Sequence, residues 1–310
     1  MKFDRKAAGE GVEALCRLNR GGTSIEWRFT FLKSEQEDRH NTIRLTMRDK
    51  EGQIVLLCIQ EAEEEEPLTS FLLQPHLWSC QCPYLYDVEV VLQNQEGKET
   101  DRLNKQIPLR ELCLHSRRGW LLNGEELTLK SVEYMIPPHT SRTEKQRFVW
   151  RDFRLLKEMG VNCIHTDPSL WNLCEKAGFL IWQKDMAASG EELLCLTGEG
   201  SDILSSLYYE YKAKWSSDPF VYIVPEGISV LPSGNLKVTV YSNCSRVILY
   251  SDGMLFEFQS GEERFVFEEV PAHGPCVMLS AEGDECSMSF SFHKTFEPSG
   301  ICRFEGGKRL

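Results

Sequence analysis

The chain has 310 residues, of which 41% are hydrophobic and 26% charged, so the sequence predicts a folded protein of two or three domains and excludes disorder as its main state. The formal net charge of −12 argues against nucleic acid as a partner, because its phosphates would be repelled. The longest apolar runs, such as residues 54–59, are far shorter than the ~20 residues of a membrane-spanning helix. No apolar segment of a signal peptide follows residues 1–6, so we expect a cytoplasmic protein without membrane contact.

Twelve cysteines are scattered along the chain, with Cys80 and Cys82 as the only close pair. No Cys-x-x-Cys pattern and no histidine pair at zinc spacing accompanies them. We therefore expect free thiols that pack as small apolar side chains, and neither a metal nor a cofactor. The acidic residues 61–67 could form a calcium site or a solvated loop, and the missing Asp/Asn/Gly ligand pattern favours the loop.

Residues 1–117 have the period-two alternation of half-buried strands. The alternating apolar positions are Ile25, Trp27, Phe29, Phe31, Ile43, Leu45, Met47, Tyr86, Val88, Val90 and Leu92. Turn sequences at residues 49–52 and 94–97 separate these runs, and a further strand is expected from Ile54. Short strands with glycine-bearing turns at this spacing predict an antiparallel β-sandwich.

The pattern changes at Gly119, where strands begin to alternate with helices. Residues 127–132, 161–166 and 179–182 are short apolar runs that predict three strands. The short connections between these strands and the intervening helices favour parallel strands with crossover helices. We therefore expect βα-type units in the middle of the chain.

Helices are predicted from side-chain periodicity and from capping residues. The first helix should end at Gly160, and it is marked by apolar residues at helical spacing, namely Val149, Phe153, Leu156 and Met159. Asp167 and Pro168 predict the N-cap and first turn of the next helix, which should end at Gly178. A last helix is expected after Ser201. Its predicted apolar stripe consists of Leu204, Leu207, Tyr208, Tyr211 and Trp215.

From residue 218 onward the period-two alternation returns. Its apolar positions are Leu236, Val238, Val240, Val247, Leu249, Phe265, Phe267, Met288, Phe290 and Phe292. Ser251-Asp252-Gly253 predicts a hairpin turn between two of these strands. This region should therefore form a second small sandwich.

Five sequence segments, called the family phrases below, carry a family resemblance. They are Leu77-Trp78-Ser79-Cys80-Gln81-Cys82-Pro83-Tyr84-Leu85-Tyr86, Gly119-Trp120-Leu121-Leu122-Asn123-Gly124-Glu125, Leu129-Lys130-Ser131-Val132, Asp152-Phe153-Arg154-Leu155-Leu156-Lys157-Glu158-Met159-Gly160-Val161-Asn162 and Leu173-Cys174-Glu175-Lys176-Ala177-Gly178-Phe179-Leu180-Ile181-Trp182. In this order they resemble segments of glycoside hydrolase family two, which contains β-galactosidases, β-glucuronidases and β-mannosidases. Residues 211–221 and 238–253 are similar to that family's last barrel helix and to the sandwich after it.

The resemblance covers most of residues 20–295 and implies an α and β multidomain fold. We expect an immunoglobulin-like β-sandwich at 1–117, a partial (β/α) TIM-barrel remnant at 118–217 and a second immunoglobulin-like β-sandwich at 218–310. The barrel is expected to be incomplete, because about 110 residues remain for it where a full barrel takes roughly 250.

The resemblance implies that the family's catalytic residues are missing. Retaining glycosidases use two carboxyl groups ~5–5.5 Å apart, and in this family they are glutamates ending the fourth and seventh barrel strands, the acid/base one directly after an asparagine. The chain contains no Asn-Glu dipeptide. Near the first strand, the family's histidine and asparagine fall at Met135 and Glu133. At the second strand, its sugar-site histidine and the following loop are replaced at residues 165–168. At the third strand, its Asp-Glu pair falls at residues 184–185. We therefore expect no catalytic residue.

Four side chains at the predicted strand ends are candidates for substrate binding. Glu133 and Asp185 could supply carboxylates, His165 could act as a base and Trp182 could stack on a sugar ring. The structural alternatives are solvated charges for the two carboxylates, a hydrogen-bonded histidine, and burial of Trp182. Asp167, a third carboxylate in this region, is expected to be an N-cap. For the carboxylates we favour the structural alternative.

Three functions remain open. The first is an inactive family homologue that acts as a scaffold or as a carbohydrate- or protein-binding module. The second is an active O-glycosyl hydrolase whose missing carboxylates come from a second copy that completes the barrel. The third is a deletion remnant without a selected function. The open strand edges also predict either a homo-oligomer or covering of the barrel by residues 183–200.

Overall fold

The computed structural model describes residues 2–4, 11–19, 22–32, 41–61, 67–136, 142–182, 194–196, 206–274, 276–296 and 302–309. The chain divides into two compact units, Met1–Ser131 with Asn162–Glu191 and Val132–Val161 with Glu192–Leu310. Within the described part of the chain, no helix has both the length and the apolar character needed to cross a membrane. The division into three domains and the cytoplasmic location stay predictions.

Strands and helices are numbered in chain order over the described residues. The strands are β1 (Val12–Asn19), β2 (Gly22–Phe29), β3 (Thr42–Arg48), β4 (Ile54–Glu61), β5 (Leu68–Leu72), β6 (Leu85–Gln93), β7 (Glu99–Pro108), β8 (Leu112–His115), β9 (Gly119–Leu122), β10 (Glu125–Glu126), β11 (Ser131–Tyr134), β12 (Cys163–His165), β13 (Leu180–Ile181), β14 (Leu194–Leu196), β15 (Val221–Ile223), β16 (Ser229–Val230), β17 (Leu236–Ser242), β18 (Arg246–Ser251), β19 (Met254–Ser260), β20 (Glu263–Val270), β21 (Cys276–Glu282), β22 (Ser287–Phe296) and β23 (Cys302–Arg309). The helices are α1 (Arg142–Met159), α2 (Trp171–Ala177) and α3 (Ser206–Trp215). The protein is thus mostly β-sheet with few helices.

Two antiparallel sheets of the first unit enclose one hydrophobic core, and their strand orders are β1-β2-β5 and β4-β3-β6-β7. The alternation predicted here is confirmed, because Ile25 and Trp27 on β2, Leu45 on β3 and Val90 on β6 are fully buried. Each such side chain contributes roughly 1.5–3 kcal/mol by its burial, so the period-two pattern determines which face of each strand packs inward. The predicted turn at residues 49–52 is also present.

A short βα segment completes the first unit, after a small antiparallel sheet of order β10-β9-β8. β12 and β13 run parallel, with Cys163 aligned to Leu180, and α2 connects them. Asp167 is the N-cap of the 3₁₀ turn before α2, since its carboxylate accepts the Ser169 N–H at 2.9 Å. α2 ends at Gly178 in the left-handed conformation that favours glycine. Both cap predictions are confirmed.

The second unit contains α1, α3 and a second pair of antiparallel sheets. β11 and β14 run parallel, and α1 packs against α3. One sheet has the order β15-β17-β16 with β20 also paired to β17, and the other has the order β19-β18-β21-β22-β23. Both sheets pack on a common hydrophobic core. The predicted helix face is confirmed, because all four of its apolar residues are buried: Val149, Phe153, Leu156 and Met159.

The strand predicted at residues 127–132 begins later than expected. The Leu127 N–H donates to the Trp120 carbonyl oxygen at 2.9 Å, and the Lys130 N–H donates to Asn162 Oδ1 at 2.8 Å. These backbone groups therefore bond to a neighbouring hairpin and to a side chain instead of a parallel strand. The strand itself, β11, begins only at Ser131.

Two further predictions near α3 are corrected. The predicted apolar stripe is wrong at Leu207, which is 38% exposed. α3 contacts α1, β17 and β20, and its buried residues are Tyr208, as predicted, together with Tyr209 and Ala213, which the stripe does not include. The predicted cap Ser201 and the predicted stripe residue Leu204 lie outside the described residues. The periodicity also predicts no strand at β14, because three residues are too few for an alternation to be recognised.

Candidate functional site

Two of the four substrate-binding candidates lie at adjoining positions in the first unit. His165 is the last residue of β12 and is exposed, while Trp182 directly follows β13 and is half-buried. The Trp182 N–H donates to the Ile164 carbonyl oxygen at 2.8 Å, which continues the parallel pairing to this point. Trp182 also packs against the buried cluster around Trp78. The Trp182 ring is therefore buried in part, as the structural alternative to stacking on a sugar predicts.

Residues 166 and 167 lie just beyond this pair. The Asp167 carboxylate accepts the Ser169 N–H, so it has the structural role expected of an N-cap. The Thr166 carbonyl oxygen accepts Trp171 Nε1 at 3.4 Å, whereas its hydroxyl oxygen is buried without a hydrogen-bond partner among the described residues. A nucleophile with an adjacent base is not formed by these side chains.

Glu133 lies in the second unit, in β11, and is half-buried. The sequence places it at or just after the end of a strand, whereas in the structure one further strand residue follows it. Met135 comes directly after β11 and is 51% exposed. A methionine side chain has no hydrogen-bond donor and only a weak acceptor, so the position where the resemblance implies histidine presents an apolar group.

The polar contact at β11 instead joins Tyr134 to Asp152 on α1. Tyr134 Oη donates to Asp152 Oδ2 at 2.8 Å, and Arg151 donates to Asp152 Oδ1 at 2.9 Å. Tyr134 and Asp152 are both buried. Because both carboxylate oxygens are bonded within the protein, Asp152 connects a strand to a helix. The family phrase contains Asp152 but not its partner, so sequence analysis missed this pair.

Asp185, the fourth candidate, lies outside the described residues. The structure thus brings His165 and Trp182 together in one unit and places Glu133 in the other. These positions do not test a substrate-binding role, which stays a prediction.

Trp78 connects three of the family phrases in the first unit. It is fully buried, and its Nε1 donates to the Glu175 carbonyl oxygen at 2.9 Å. Asn123 Nδ2 donates to the Trp78 carbonyl oxygen at 2.9 Å. The Arg110 guanidinium lies 4.5 Å from the centre of the Trp78 ring and forms an ion pair of 2.9 Å with the Glu175 carboxylate. Arg110 was missed because it lies outside the phrases and 65 residues from its partner.

Asn162 connects two other phrases. Its Nδ2 donates to the Thr128 carbonyl oxygen at 2.8 Å, while its Oδ1 accepts the Lys130 N–H at 2.8 Å. The Cys80 thiol also contacts the Asn162 carbonyl oxygen at 3.8 Å. The phrases that carry the resemblance are therefore held to one another by structural bonds.

The thiol of Cys174 is buried. Burial, reinforced by the nearby Glu175 and Cys163, raises the pKa of the Cys174 thiol to about 12. It therefore stays protonated, and the thiolate is the reactive form. In the described part of the chain, no three His, Cys, Asp or Glu side chains are grouped so that they could hold a metal ion.

Solved structures with the same fold are multidomain glycosidases. An FMN-binding β-glucuronidase from Facaelibacterium prausnitzii superposes with a TM-score of 0.74 at 14% identity, covering 97% of this chain and 76% of that chain. A β-glucuronidase from Bacteroides uniformis gives a TM-score of 0.64 at 16% identity, covering 100% of this chain and 62% of that chain. The chain therefore shares the β-rich fold of these two proteins.

Sequence comparison finds relatives for part of the chain. Residues 19–110 match the model of "Glycosyl hydrolases family 2". The β-galactosidase BoGH2A of Bacteroides ovatus is 31% identical over 180 residues, and a β-galactosidase of Lactococcus lactis is 27% identical over 117 residues. These matches confirm the resemblance to glycosyl hydrolases family 2. The matched regions cover 51% and 36% of this chain, but they span only 21% and 12% of the two β-galactosidases.

Proposed function

We propose that this chain is a family 2 homologue that does not hydrolyse glycosidic bonds and that retains, at most, binding of a β-linked sugar. In this proposal, immunoglobulin-like sandwiches at 1–117 and 218–310 flank a shortened (β/α) barrel at 118–217. The two sheet pairs, each around its own core, support the sandwiches. The β-galactosidases and β-glucuronidases among the relatives support a β-glycoside as the ligand class.

The arrangement of β14 and α3 supports the shortened barrel. In a closed (β/α)₈ barrel the last strand pairs with the first, and the last helix lies beside the first helix. In the second unit β14 runs parallel to β11, and α3 packs against α1. We therefore assign β14 and α3 to the last βα unit of the barrel. This pairing also favours covering of the β11 edge by the chain's own linker over covering by a second copy.

One observation carries the proposed loss of hydrolysis. Only the twelve residues 182–193 separate β13 from β14. A (β/α)₈ barrel of about 250 residues uses roughly 30 residues for each unit, so this interval is too short for the intervening units. In the resemblance, those units carry the acid/base and nucleophile glutamates, and no Asn-Glu dipeptide occurs anywhere in the 310 residues.

Hydrolysis is tested with the full chain at high concentration and with the nitrophenyl glycosides of β-galactose, β-glucuronic acid and β-mannose. We expect no release of nitrophenol above the buffer rate. The matched variants are Glu133→Gln and Asp185→Asn, with Glu282→Gln as the control, since Glu282 accepts a hydrogen bond from Tyr250 at the surface of the second sandwich. Turnover that is lost in Glu133→Gln or Asp185→Asn but kept in the control would contradict the proposal.

The same protein separates the remaining alternatives. A specific activity that increases with protein concentration, alongside a dimer in light scattering, would favour an enzyme completed by a second copy. Quenching of tryptophan fluorescence by a β-linked disaccharide, reduced in Trp182→Phe, would favour sugar binding, and its absence would favour a scaffold. Unfolding without a cooperative transition would favour a deletion remnant.

A further inference from the structure

Two cysteines of the second unit meet at one end of its sandwich. Cys244 lies in the turn between β17 and β18, and Cys286 lies directly before β22. Their sulfur atoms are 3.6 Å apart although the residues are 42 positions apart in sequence. Cys244 is buried and Cys286 is half-buried. The Cys244 turn connects the two sheets, whereas the Cys286 turn joins β21 and β22 of one sheet, so the thiols meet at the end of the sandwich where these turns lie.

The backbone around the pair keeps the two sulfur atoms in contact. A Cβ at Gly283 would lie 2.6 Å from the sulfur of Cys244 and 3.0 Å from the sulfur of Cys286, so glycine leaves the space that the thiols occupy. The Gly283 N–H donates to the Cys286 carbonyl oxygen at 2.8 Å. The Cys244 N–H donates to Ser242 Oγ at 3.0 Å, and Ser242 Oγ donates to the Phe220 carbonyl oxygen at 2.7 Å. Both turns are thus fixed by hydrogen bonds.

We propose that Cys244 and Cys286 form a reversible disulfide by exchange with a low-molecular-weight disulfide of the glutathione type. The Cys286 thiolate attacks one sulfur of that disulfide, which gives a mixed disulfide and releases the first small thiol. The Cys244 thiolate then attacks the Cys286 sulfur and releases the second small thiol. The two protein thiols are oxidised, the small disulfide is reduced, and the two protons end on the released thiols.

The geometry fits this reaction. A disulfide bond is about 2.05 Å long, so the sulfur atoms must approach by roughly 1.5 Å from their separation of 3.6 Å. Cys286 is the more exposed residue, so the small disulfide reaches it first. Burial raises the pKa of the Cys286 thiol to about 11, so the thiolate fraction and the exchange rate should increase as the pH rises. The bond would link the β17–β18 turn to the β21–β22 turn and would close a long loop, which constrains the unfolded chain. The site is independent of sugar binding and of the barrel region.

The test equilibrates the full chain in reduced and oxidised glutathione at pH 8.5, followed by alkylation of free thiols and peptide mass mapping. We expect a linked peptide that contains both Cys244 and Cys286, a Tm increase of roughly 5–10 °C, and reversal of both by dithiothreitol. Cys276→Ser is the matched control, because Cys276 is an exposed thiol on β21 of the same sandwich. This variant should keep the Tm increase, whereas Cys286→Ser should lose it.

The wild-type chain alone can overturn the proposal, even if a variant fails to fold. Alkylation of both Cys244 and Cys286 under conditions that attach glutathione to Cys276 would refute it. Formation of the linked peptide only after unfolding in urea would also refute it, because the folded geometry would then play no part.

Gly283→Ala should slow formation of the disulfide at least tenfold, since the new methyl group would displace both sulfur atoms.

Discussion

Replacement of Gly160 by alanine tests the close approach of α1 and α3. Gly160 follows the last residue of α1 with φ +95°, and a Cβ there would lie 2.3 Å from the Trp215 carbonyl oxygen at the end of α3. It would also lie 3.0 Å from the Ser216 nitrogen. Because these neighbours are backbone atoms, no side-chain rotation can relieve the overlap. Either the end of α1 or the end of α3 must move.

Two contributions determine the size of the effect. An L-residue in the left-handed region costs about 1–2 kcal/mol, and forcing extra volume into a packed site costs about 1–3 kcal/mol. Gly160→Ala should therefore lower the free energy of unfolding by roughly 2–5 kcal/mol. Gly234→Ala measures the backbone contribution alone, because the φ of Gly234 is +85° and nothing lies within 4 Å of the place that an added methyl group would take. Gly234→Ala should cost only about 1–2 kcal/mol.

Equilibrium urea unfolding, with circular dichroism at the helix band as the signal, measures the free energy of unfolding of both variants. The two values can be compared when the variants have equal m-values. Gly160 and Gly234 belong to the same unit, so the same structural unit reports both changes. If the two substitutions agree within about 0.5 kcal/mol, the ends of α1 and α3 do not meet as described. The assignment of α3 as the last helix of a shortened barrel would then lose one of its two supports.

Two more predictions concern buried polar groups. Tyr134→Phe should lower the free energy of unfolding by about 1–3 kcal/mol, because it leaves one buried oxygen of Asp152 without its donor. Tyr250→Phe removes an exposed hydrogen bond and should change the free energy of unfolding little. Equal losses for the two variants in urea unfolding would contradict this. Burial raises the pKa of the Cys16 thiol from 9.0 to about 11, so the folded state keeps a proton that the unfolded state releases, and stability should fall as the pH rises from 9 to 11. Cys16→Ala should reduce that fall by about 2–3 kcal/mol, and an unchanged pH profile would refute the assignment.

Much of the fold follows from local physical chemistry. The period-two runs around Trp27 and Val90 become buried strand faces, because alternate side chains of a strand point to one side. The caps at Asp167 and Gly178 form as expected, because a carboxylate satisfies a free N–H and glycine tolerates positive φ. These signals lie within a few residues of one another, so a single sequence contains them.

Contacts between distant residues were not predictable from the sequence. The pairing of Arg110 with Glu175 and the meeting of Cys244 with Cys286 join positions with no common motif. Leu207 was misassigned for a related reason, since the neighbours of α3 on several sides determine which of its residues are buried. Helical periodicity gives one stripe, whereas tertiary packing gives the actual contact surface.

The family phrases make structural contacts with one another in the described residues. In the described residues Trp78, Asn123 and Asn162 bond to backbone groups of other phrases, so they preserve the junction between a sandwich and the first βα elements. Such contacts stabilise the folded chain whether or not a catalytic centre exists, because burial and hydrogen bonding of Trp78 do not depend on a substrate. A homologue can therefore keep the family phrases while the residues at its strand ends differ. Sequence similarity in this region accordingly measures retention of the fold, and only the nitrophenyl glycoside assay measures retention of the chemistry.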